Sequence, residues 1–407
     1  MQKGNALIVI GMIVIAVGVV VLSIFLYHPE QKPQPAPTAT QTTEMPKVKT
    51  LNEKLIESFD KGLSYLMKSQ LENGAWPNPM KEADVAFTSF AIMVIAKSPQ
   101  KYQETYKTQI EKGAKYVVEH VQANGAIIDS EKPPTYAVYK TSLALAALTN
   151  LDKEKYKNAI AKATSYLTTN QFGPEDGDAQ SGGWGYSERG ATATMNANLS
   201  TSEFAMMALH ESGLPKDSET WQRAVEFLDK IQNSSEYNKF RVTTNDGGFA
   251  YSPVESKAGE ETLADGTKIY KSYASMTYAG LLSFIYANVD KKDPRVQAAY
   301  NWIRKNYSLE ENIGLRTDAN PKLGKQGLYY YYNTFAKALD ALGEKTIITE
   351  DKTEHKWAKE LAEKLISLQK LDGAWKNDFE ERWFEGFEGL ATSYSLLALN
   401  TCRKWLE

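Results

Sequence analysis

The sequence predicts an all-α protein: an α/α toroid of about six helical hairpins, an α6/α6 barrel, preceded by a single N-terminal transmembrane helix. Three observations carry that expectation. Glycine-punctuated segments of one character recur about every sixty residues, a period typical of repeat architectures. One-sided amphipathic stretches alternate with stretches that are apolar nearly all round. Ahead of both lies the uncharged run Ala6–Tyr27, "ALIVIGMIVIAVGVVVLSIFLY".

In chain order, residues 1–5 read as a short cytoplasmic end. Residues 6–27 are long enough to cross the roughly 30 Å hydrocarbon core as a helix. Their apolar core exceeds that of a cleaved signal peptide, and "SIFLYHPEQ" lacks a small-residue cleavage site, so the expectation is a retained signal anchor. Lys3 and the free amino terminus favour a cytoplasmic start, which would make the protein a single-pass membrane protein with an extracytoplasmic toroid. Residues 28–49 are rich in Pro, Thr and Gln and have almost nothing to bury, as in an extended spacer.

Residues 50–407 carry the repeat. Six segments each end an amphipathic stretch and carry a glycine: "YLMKSQLENGAW", "YVVEHVQANGAI", "YLTTNQFGPEDGDAQSGGWGY", "FLDKIQNSSEYNKFRVTTNDGGFAY", "WIRKNYSLEENIGL" and "KLISLQKLDGAW". The glycines aligned this way are Gly74, Gly125, Gly183, Gly248, Gly314 and Gly373. Between them "TSFAIM", "TSLALA", "SEFAMM", "MTYAGL", "NTFAKA" and "TSYSLL" align with an aromatic or Leu third, as the starts of second helices at Thr88, Thr141, Ser202, Met276, Asn333 and Thr392. Leu55, Phe59, Leu63 and Leu66 make a one-sided stripe, whereas "VAFTSFAIMVIA" is apolar all round, so the first kind of helix belongs outside and the second inside. A ring of hairpins also accommodates a length at which one conventional core becomes awkward.

Of the 407 residues 42% are hydrophobic and 24% charged, with net charge −3 and no Lys/Arg block, which argues against a nucleic-acid partner. One cysteine, Cys402, rules out an intramolecular disulfide and any multi-thiolate metal site. His28, His120, His210 and His355 form no HxxxH or HExxH pair, so no metal and no cofactor is expected. Oligomeric state is not legible.

The QxxxGxW pattern at 70–76 and 369–375, with "GGWGY" at 182–186 and "DGGFAYSP" at 246–253, resembles the repeat of the squalene cyclase and protein prenyltransferase β-subunit superfamily, over about residues 50–407. That resemblance implies an α6/α6 toroid whose inner helices surround a central cavity; in squalene cyclases the cavity is aromatic and binds isoprenoids. Its chemistry is another matter. The DxDD acid of squalene and hopene cyclases is missing, as is the DCTAE motif of oxidosqualene cyclases. Lys271, Tyr273 and Ala391 fall where the resemblance places the Asp, Cys and His zinc ligands of prenyltransferases, and they make no such ligand set.

What remains near the inner-helix starts is aromatic and acidic. Tyr139, Tyr270, Tyr273, Tyr330 and Tyr332 are the candidate ligand-binding residues, because a tyrosine offers a flat apolar face with a polar rim to an isoprenoid or a sugar. Asp84, Glu203 and Glu388 are the catalytic candidates, since two carboxylates facing one cavity serve as acid and base in glycan cleavage. Three readings therefore stand together: a cyclase-like toroid binding a hydrophobic or amphipathic ligand, an isoprenoid-acting enzyme or a polysaccharide lyase or glycoside hydrolase, and an envelope scaffold that binds proteins. Each QxxxGxW is read as a structural clasp: Trp76→Ala or Trp375→Ala is expected to destabilise the chain by about 3–5 kcal/mol in chemical denaturation. An unchanged melting temperature with altered binding would make these residues ligand contacts instead.

Overall fold

The computed structural model describes residues 48–129, 135–190 and 196–406. Among these the helices run, in order, α1 (Leu51–Lys68), α2 (Val85–Ala96), α3 (Gln100–Thr105), α4 (Lys107–Glu119), α5 (Ala137–Leu151), α6 (Lys157–Thr169), α7 (Leu199–Ser212), α8 (Glu219–Ile231), α9 (Ala274–Tyr286), α10 (Pro294–Lys305), α11 (Leu328–Leu342), α12 (Trp357–Leu368) and α13 (Glu388–Leu406). Three short antiparallel ribbons join them: Trp76–Pro77 with Ala83–Asp84, Glu260–Thr262 with Lys268–Tyr270, and Ile347–Ile348 with Glu354–His355.

Helices α2, α5, α7, α9, α11 and α13 pack each against the next, and α13 returns to α2, closing an inner ring. Helices α1, α4, α6, α8, α10 and α12 lie outside it. The division follows the hydrophobic pattern. In α2 ten of the twelve residues, from Val85 to Ile95, are buried, whereas α8 buries only the stripe Thr220, Trp221, Ala224, Phe227, Leu228 and Ile231. Helix α1 begins in a capping box: Glu53 N–H donates to the Thr50 hydroxyl at 3.2 Å, and Thr50 N–H to the Glu53 carboxylate at 2.7 Å.

No helix among the described residues is long and apolar enough to cross a membrane, which corrects the fold class to an all-α toroid whose described residues include no transmembrane helix. The apolar helices α2 and α9 have 12 and 13 residues, about 20 Å at 1.5 Å per residue and well short of a bilayer core. The longer α1 carries charges along its length, and α13 carries Glu388, Arg403 and Lys404 at its ends. The anchor expected at 6–27 lies outside the described residues.

The repeated Gln, Gly and Trp form one clasp. Gln70 Nε2 donates to Gly74 O and to Gln109 O of α4, both at 2.8 Å. Gln171 reaches Gly182 O and Thr220 O of α8 at 2.8 and 3.0 Å. Gln232 reaches Gly247 O and Arg295 O of α10 at 3.0 and 2.8 Å. Gln369 does the same with Gly373 O at 2.9 Å and Ser58 O of α1 at 2.8 Å, so the sixth unit grips the first. Three residues beyond each gripped carbonyl the next outer helix presses on the glycine. A β-carbon at Gly74 would stand 2.7 Å from Lys112 O, and one at Gly373 2.5 Å from Lys61 O, while both glycines hold positive φ, 88° and 95°. In the Gly-Gly pairs the left-handed position belongs to Gly182 and Gly247 rather than to Gly183 and Gly248.

The tryptophans secure the inner helices. Trp76, Trp184 and Trp375 are at most 2% exposed. Their indole N–H groups donate to Leu66 O, Leu167 O and Leu365 O in the last turns of α1, α6 and α12. Their backbone N–H groups donate to Thr88, Ser202 and Thr392, and Ile127 and Phe249 do likewise to Thr141 and Thr277. These hydroxyls sit one turn inside the inner helices, which start earlier than the sequence alignment placed them. That register also exposes a slip. In the fourth unit Thr277, not Met276, matches Thr88; in the fifth Thr334, whose hydroxyl donates to Tyr330 O as Thr88 donates to Asp84 O, replaces Asn333. One residue is 100° of helix rotation, enough to turn Tyr278 and Phe335 off the direction of Phe90.

Ring closure is directly testable. Gln369→Ala leaves part-buried carbonyls without their donor and is expected to lower stability by about 1–3 kcal/mol. Gly373→Ala adds a clash with the Lys61 carbonyl to the left-handed penalty, and about 2–4 kcal/mol is expected in urea denaturation.

Candidate functional site

Amino ends of the inner helices define one mouth of the ring, and aromatic side chains converge beneath it. Phe90 of α2 meets Phe204 of α7 at 6.3 Å between ring centroids, Phe204 meets Tyr330 of α11 at 6.1 Å, Tyr330 meets Tyr394 of α13 at 6.0 Å, and Tyr394 returns to Phe90 at 5.2 Å. Helices α2 and α7 are not neighbours in the ring, nor are α7 and α11, so these four rings meet across the space the helices enclose. Every pair is tilted or edge-on, the favourable arrangement for ring quadrupoles, worth about 0.5–1.5 kcal/mol each beyond area burial.

Toward the mouth, Tyr139 of α5 stands edge-on to Phe204 at 5.3 Å and meets Tyr186 at 5.9 Å, while Phe87 of α2 meets Phe387 edge-on at 5.2 Å. Phe87, Tyr139, Tyr186, Tyr330 and Phe387 are all half-buried, unlike Phe90, Phe204 and Tyr394 below them. Burial pushes the phenols of Tyr139, Tyr273, Tyr330 and Tyr394 up, so each remains neutral at ordinary pH and can donate a hydrogen bond. The half-buried rings stand over a buried aromatic floor, together the aromatic bowl, with the Tyr330 hydroxyl itself enclosed.

The three candidate carboxylates do not gather there. Asp84 caps α2, accepting from Ala86 N–H at 2.7 Å and Phe87 N–H at 3.2 Å, and pairs with Lys140 Nζ at 3.0 Å. Burial pushes its carboxyl up against the pull of Lys140, which also binds Asp129 at 2.8 Å. Glu203 is fully buried on α7 and pairs with Lys337 Nζ of α11 at 2.7 Å; that ammonium also lies 5.5 Å above the Phe204 ring. Glu388, at the start of α13, accepts from Lys370 at 2.5 Å and from the Tyr65 hydroxyl at 2.6 Å, bonds that hold its carboxyl below the usual range. Each of the three candidates is thus paired with a different lysine, and Asp84 shares its lysine with Asp129.

The candidate tyrosines divide likewise. Tyr139 and Tyr330 belong to the bowl. Tyr273 is the buried residue before α9, its backbone N–H donating to Phe249 O at 3.2 Å. Tyr270 lies in the ribbon before it, under the Arg241 guanidinium at 5.4 Å. Tyr332 packs on Tyr329 and Tyr331 and donates to Leu309 O at 2.7 Å, which makes it part of the core. Sequence reasoning missed Phe90, Phe204, Tyr394 and Lys337. The first three hold the third position of the aligned helix series, and that shared register was the available signal. Grooves on the outer face, one of about 500 Å³ lined by Tyr307, Glu310 and Glu363 and one of about 370 Å³ lined by Ile56 and Asp60, bring no such group together.

Residues 82–251 match the family model of the squalene-hopene cyclase C-terminal domain. The chain thus has the fold of a squalene-cyclase-like toroid. It resembles a variant of the type II terpene cyclase MstE from Scytonema, solved with its substrate geranylgeranyl dihydroxybenzoate, at TM-score 0.53 and 13% identity over 87% of this chain and 99% of the other. A glycosidase variant matches at TM-score 0.51 and 13% identity, over 88% of this chain and 98% of the other. An inactive variant of an α-1,6-mannanase from Salegentibacter sp. HEL1_6, in complex with α-1,6-mannotriose, matches at TM-score 0.50 and 12% identity over 87% and 100%. No curated protein sequence matches. At these identities the structural likenesses establish the fold and leave the chemistry to the residues.

One buried acid of this cyclase-like toroid escaped the sequence reading. Glu385, 1% exposed, accepts Tyr330 N–H at 2.8 Å and Asn377 Nδ2 at 2.9 Å, and so caps α11, whose N-cap residue Gly327 has no side chain. Burial pushes it up to about 7, although the bonds from Tyr330 and Asn377 pull the other way. The folded chain therefore holds this proton more tightly than the unfolded chain. The stabilisation is complete below the unfolded carboxyl range and is lost as pH rises through about 7. Compared with Glu385→Gln, the wild type is expected to lose about 2–3 kcal/mol between pH 4.5 and 7.5, measured as paired urea denaturations; parallel pH profiles would refute the assignment.

Proposed function

We propose that this toroid binds an amphipathic, isoprenoid-like ligand across the aromatic bowl at the inner-helix amino ends, without proton-initiated cyclisation or zinc-dependent transfer. The observation carrying this reading is the convergence of Phe90, Tyr139, Phe204, Tyr330 and Tyr394, from five inner helices, into one aromatic cluster. A flexible hydrocarbon chain gains by covering such rings, and the neutral tyrosine hydroxyls above them suit a polar head. Ring centroids 5–6 Å apart leave no room for a chain between them, so the ligand lies over the floor, against the half-buried Tyr139, Tyr330, Phe87 and Phe387.

Polysaccharide cleavage on the same fold, the alternative raised by the glycosidase neighbours, requires two carboxylates about 5–10 Å apart in an open cleft. Asp84, Glu203 and Glu388 are instead tied to Lys140, Lys337 and Lys370 respectively, and Glu203 is fully enclosed. Native mass spectrometry and solvent extraction of the purified chain are expected to recover an isoprenoid-sized lipid. Geranylgeraniol is expected to raise the melting temperature, with affinity falling about tenfold or more in Tyr139→Ala or Tyr330→Ala, each of which removes a ring worth more than about 1.4 kcal/mol. A thermal shift with oligosaccharides but not with prenyl alcohols would favour the glycan reading, and no response to either would remove both.

A further inference from the structure

The segment before α13, residues 376–387, lies against the amino ends of α11 and α2 and is held in an unfavourable backbone shape. Trp383 and Phe384 have φ of 60° and 63° in succession, a left-handed conformation that bulky L-residues resist. Contacts on both sides maintain it. The Trp383 ring lies on Gly327, where an added β-carbon would stand 2.8 Å from it. Immediately beyond, Glu385 is anchored to Tyr330 N–H and Asn377, and Asn377 Nδ2 also donates to Lys325 O at 2.7 Å.

At its far end the segment brings Phe387 to Phe87 of α2. The segment thus touches α11 and α2, the two neighbours of α13 at the mouth. Trp383 and Phe384 meanwhile stay 37% and 60% exposed. Two large aromatic rings left in water beside an aromatic floor are placed to meet an apolar chain before the floor does. Strain held only by surrounding contacts is released when those contacts part, which lowers the barrier to opening.

We infer that residues 376–387 form a strap that gates the bowl, swinging away from α11 to admit an acyclic amphipathic ligand as Trp383 and Phe384 leave the left-handed conformation. This rests on the ligand-binding reading above. The exposed rings make the first contact, and the anchor at Glu385 and Asn377 restores the strap once the chain lies beneath it.

The test compares Phe384→Gly with Phe384→Ala in the full chain, with a dansyl-labelled geranylgeranyl chain as the probe in stopped-flow fluorescence. Glycine takes a positive φ without penalty and so favours the closed strap; alanine loses the same ring but keeps the strain. Probe association is expected to slow about fivefold in Phe384→Gly relative to Phe384→Ala, the equivalent of about 1 kcal/mol. Hydrogen exchange at the Tyr330 amide reads opening without ligand and is expected to slow by a similar factor in the glycine variant. Equal association rates and equal exchange in the two variants would overturn the gate while leaving ligand binding intact. Failure of the probe to bind the wild type and both variants would overturn the ligand-binding reading, and the gate with it.

Discussion

One repeated contact, a glutamine amide shared between its own loop and a neighbouring outer helix, links the units of this ring and recurs where the ring closes. Gln369 donates one NH₂ group both to its own loop, at Gly373 O, and to Ser58 O in the first helix. It thereby satisfies backbone acceptors in a place where water has limited access. The same geometry joins α1 to α4, α6 to α8 and α8 to α10 through Gln70, Gln171 and Gln232. Closure thus needs no special joint. The sixth unit meets the first through the contact that joins successive units elsewhere, and that leaves no unpartnered end on a series of inner helices apolar on every side. The neighbouring side chains obey the same constraint: Gly62 and Gly113 exist as notches for Trp375 and Trp76, whose rings would lie 2.6 and 2.9 Å from an added β-carbon.

Much of this architecture is legible in the sequence, because the clasp is local and repeated. Gln, Gly and Trp lie within seven residues of one another, and the outer stripe and the inner all-round apolarity follow from helical period alone. The punctuation weakens in two units: the second unit's Gln122 bonds only near its own loop, to His120 O, and the fifth unit has Asn306, which bonds back to Trp302 O. The register slip follows a different signal: in the fourth and fifth inner helices an aromatic, Tyr278 or Phe335, directly follows the threonine, so aligning on the aromatic shifts the threonine by one residue. That slip hid which aromatics face inward. The expected membrane helix rests on a run that the described residues do not include, and the described helices are too short or too charged to take that part.

The site was less readable for a physical reason. Its floor is made by rings from α2, α5, α7, α11 and α13, brought together by ring closure rather than by spacing along the chain. Glu203 looked like a free acid because its partner, Lys337, is 134 residues away. Asp84 and Glu388 show the same bias at shorter range: an acid beside a helix start is required there by backbone N–H groups and nearby lysines before any reaction calls for it. Sequence pattern identifies such carboxylates but cannot show that each charge is already answered.

That neutralisation shapes what the ring can do. A buried acid that protonates an alkene must keep its proton through burial and like charge, and must face the substrate. Glu203 has the burial, but its Oε1 is held by the Lys337 ammonium at 2.7 Å rather than by a like charge. Glu385 meets the opposite condition, since burial raises it to about 7, yet its oxygens are occupied by Tyr330 N–H and Asn377. One acid has the wrong partner and the other the wrong orientation. Among the described residues the candidate acids are thus tied up in pairs and caps, while the rings that meet across the inner helices are neutral, and that contrast is what supports the ligand-binding reading over an acid-driven one.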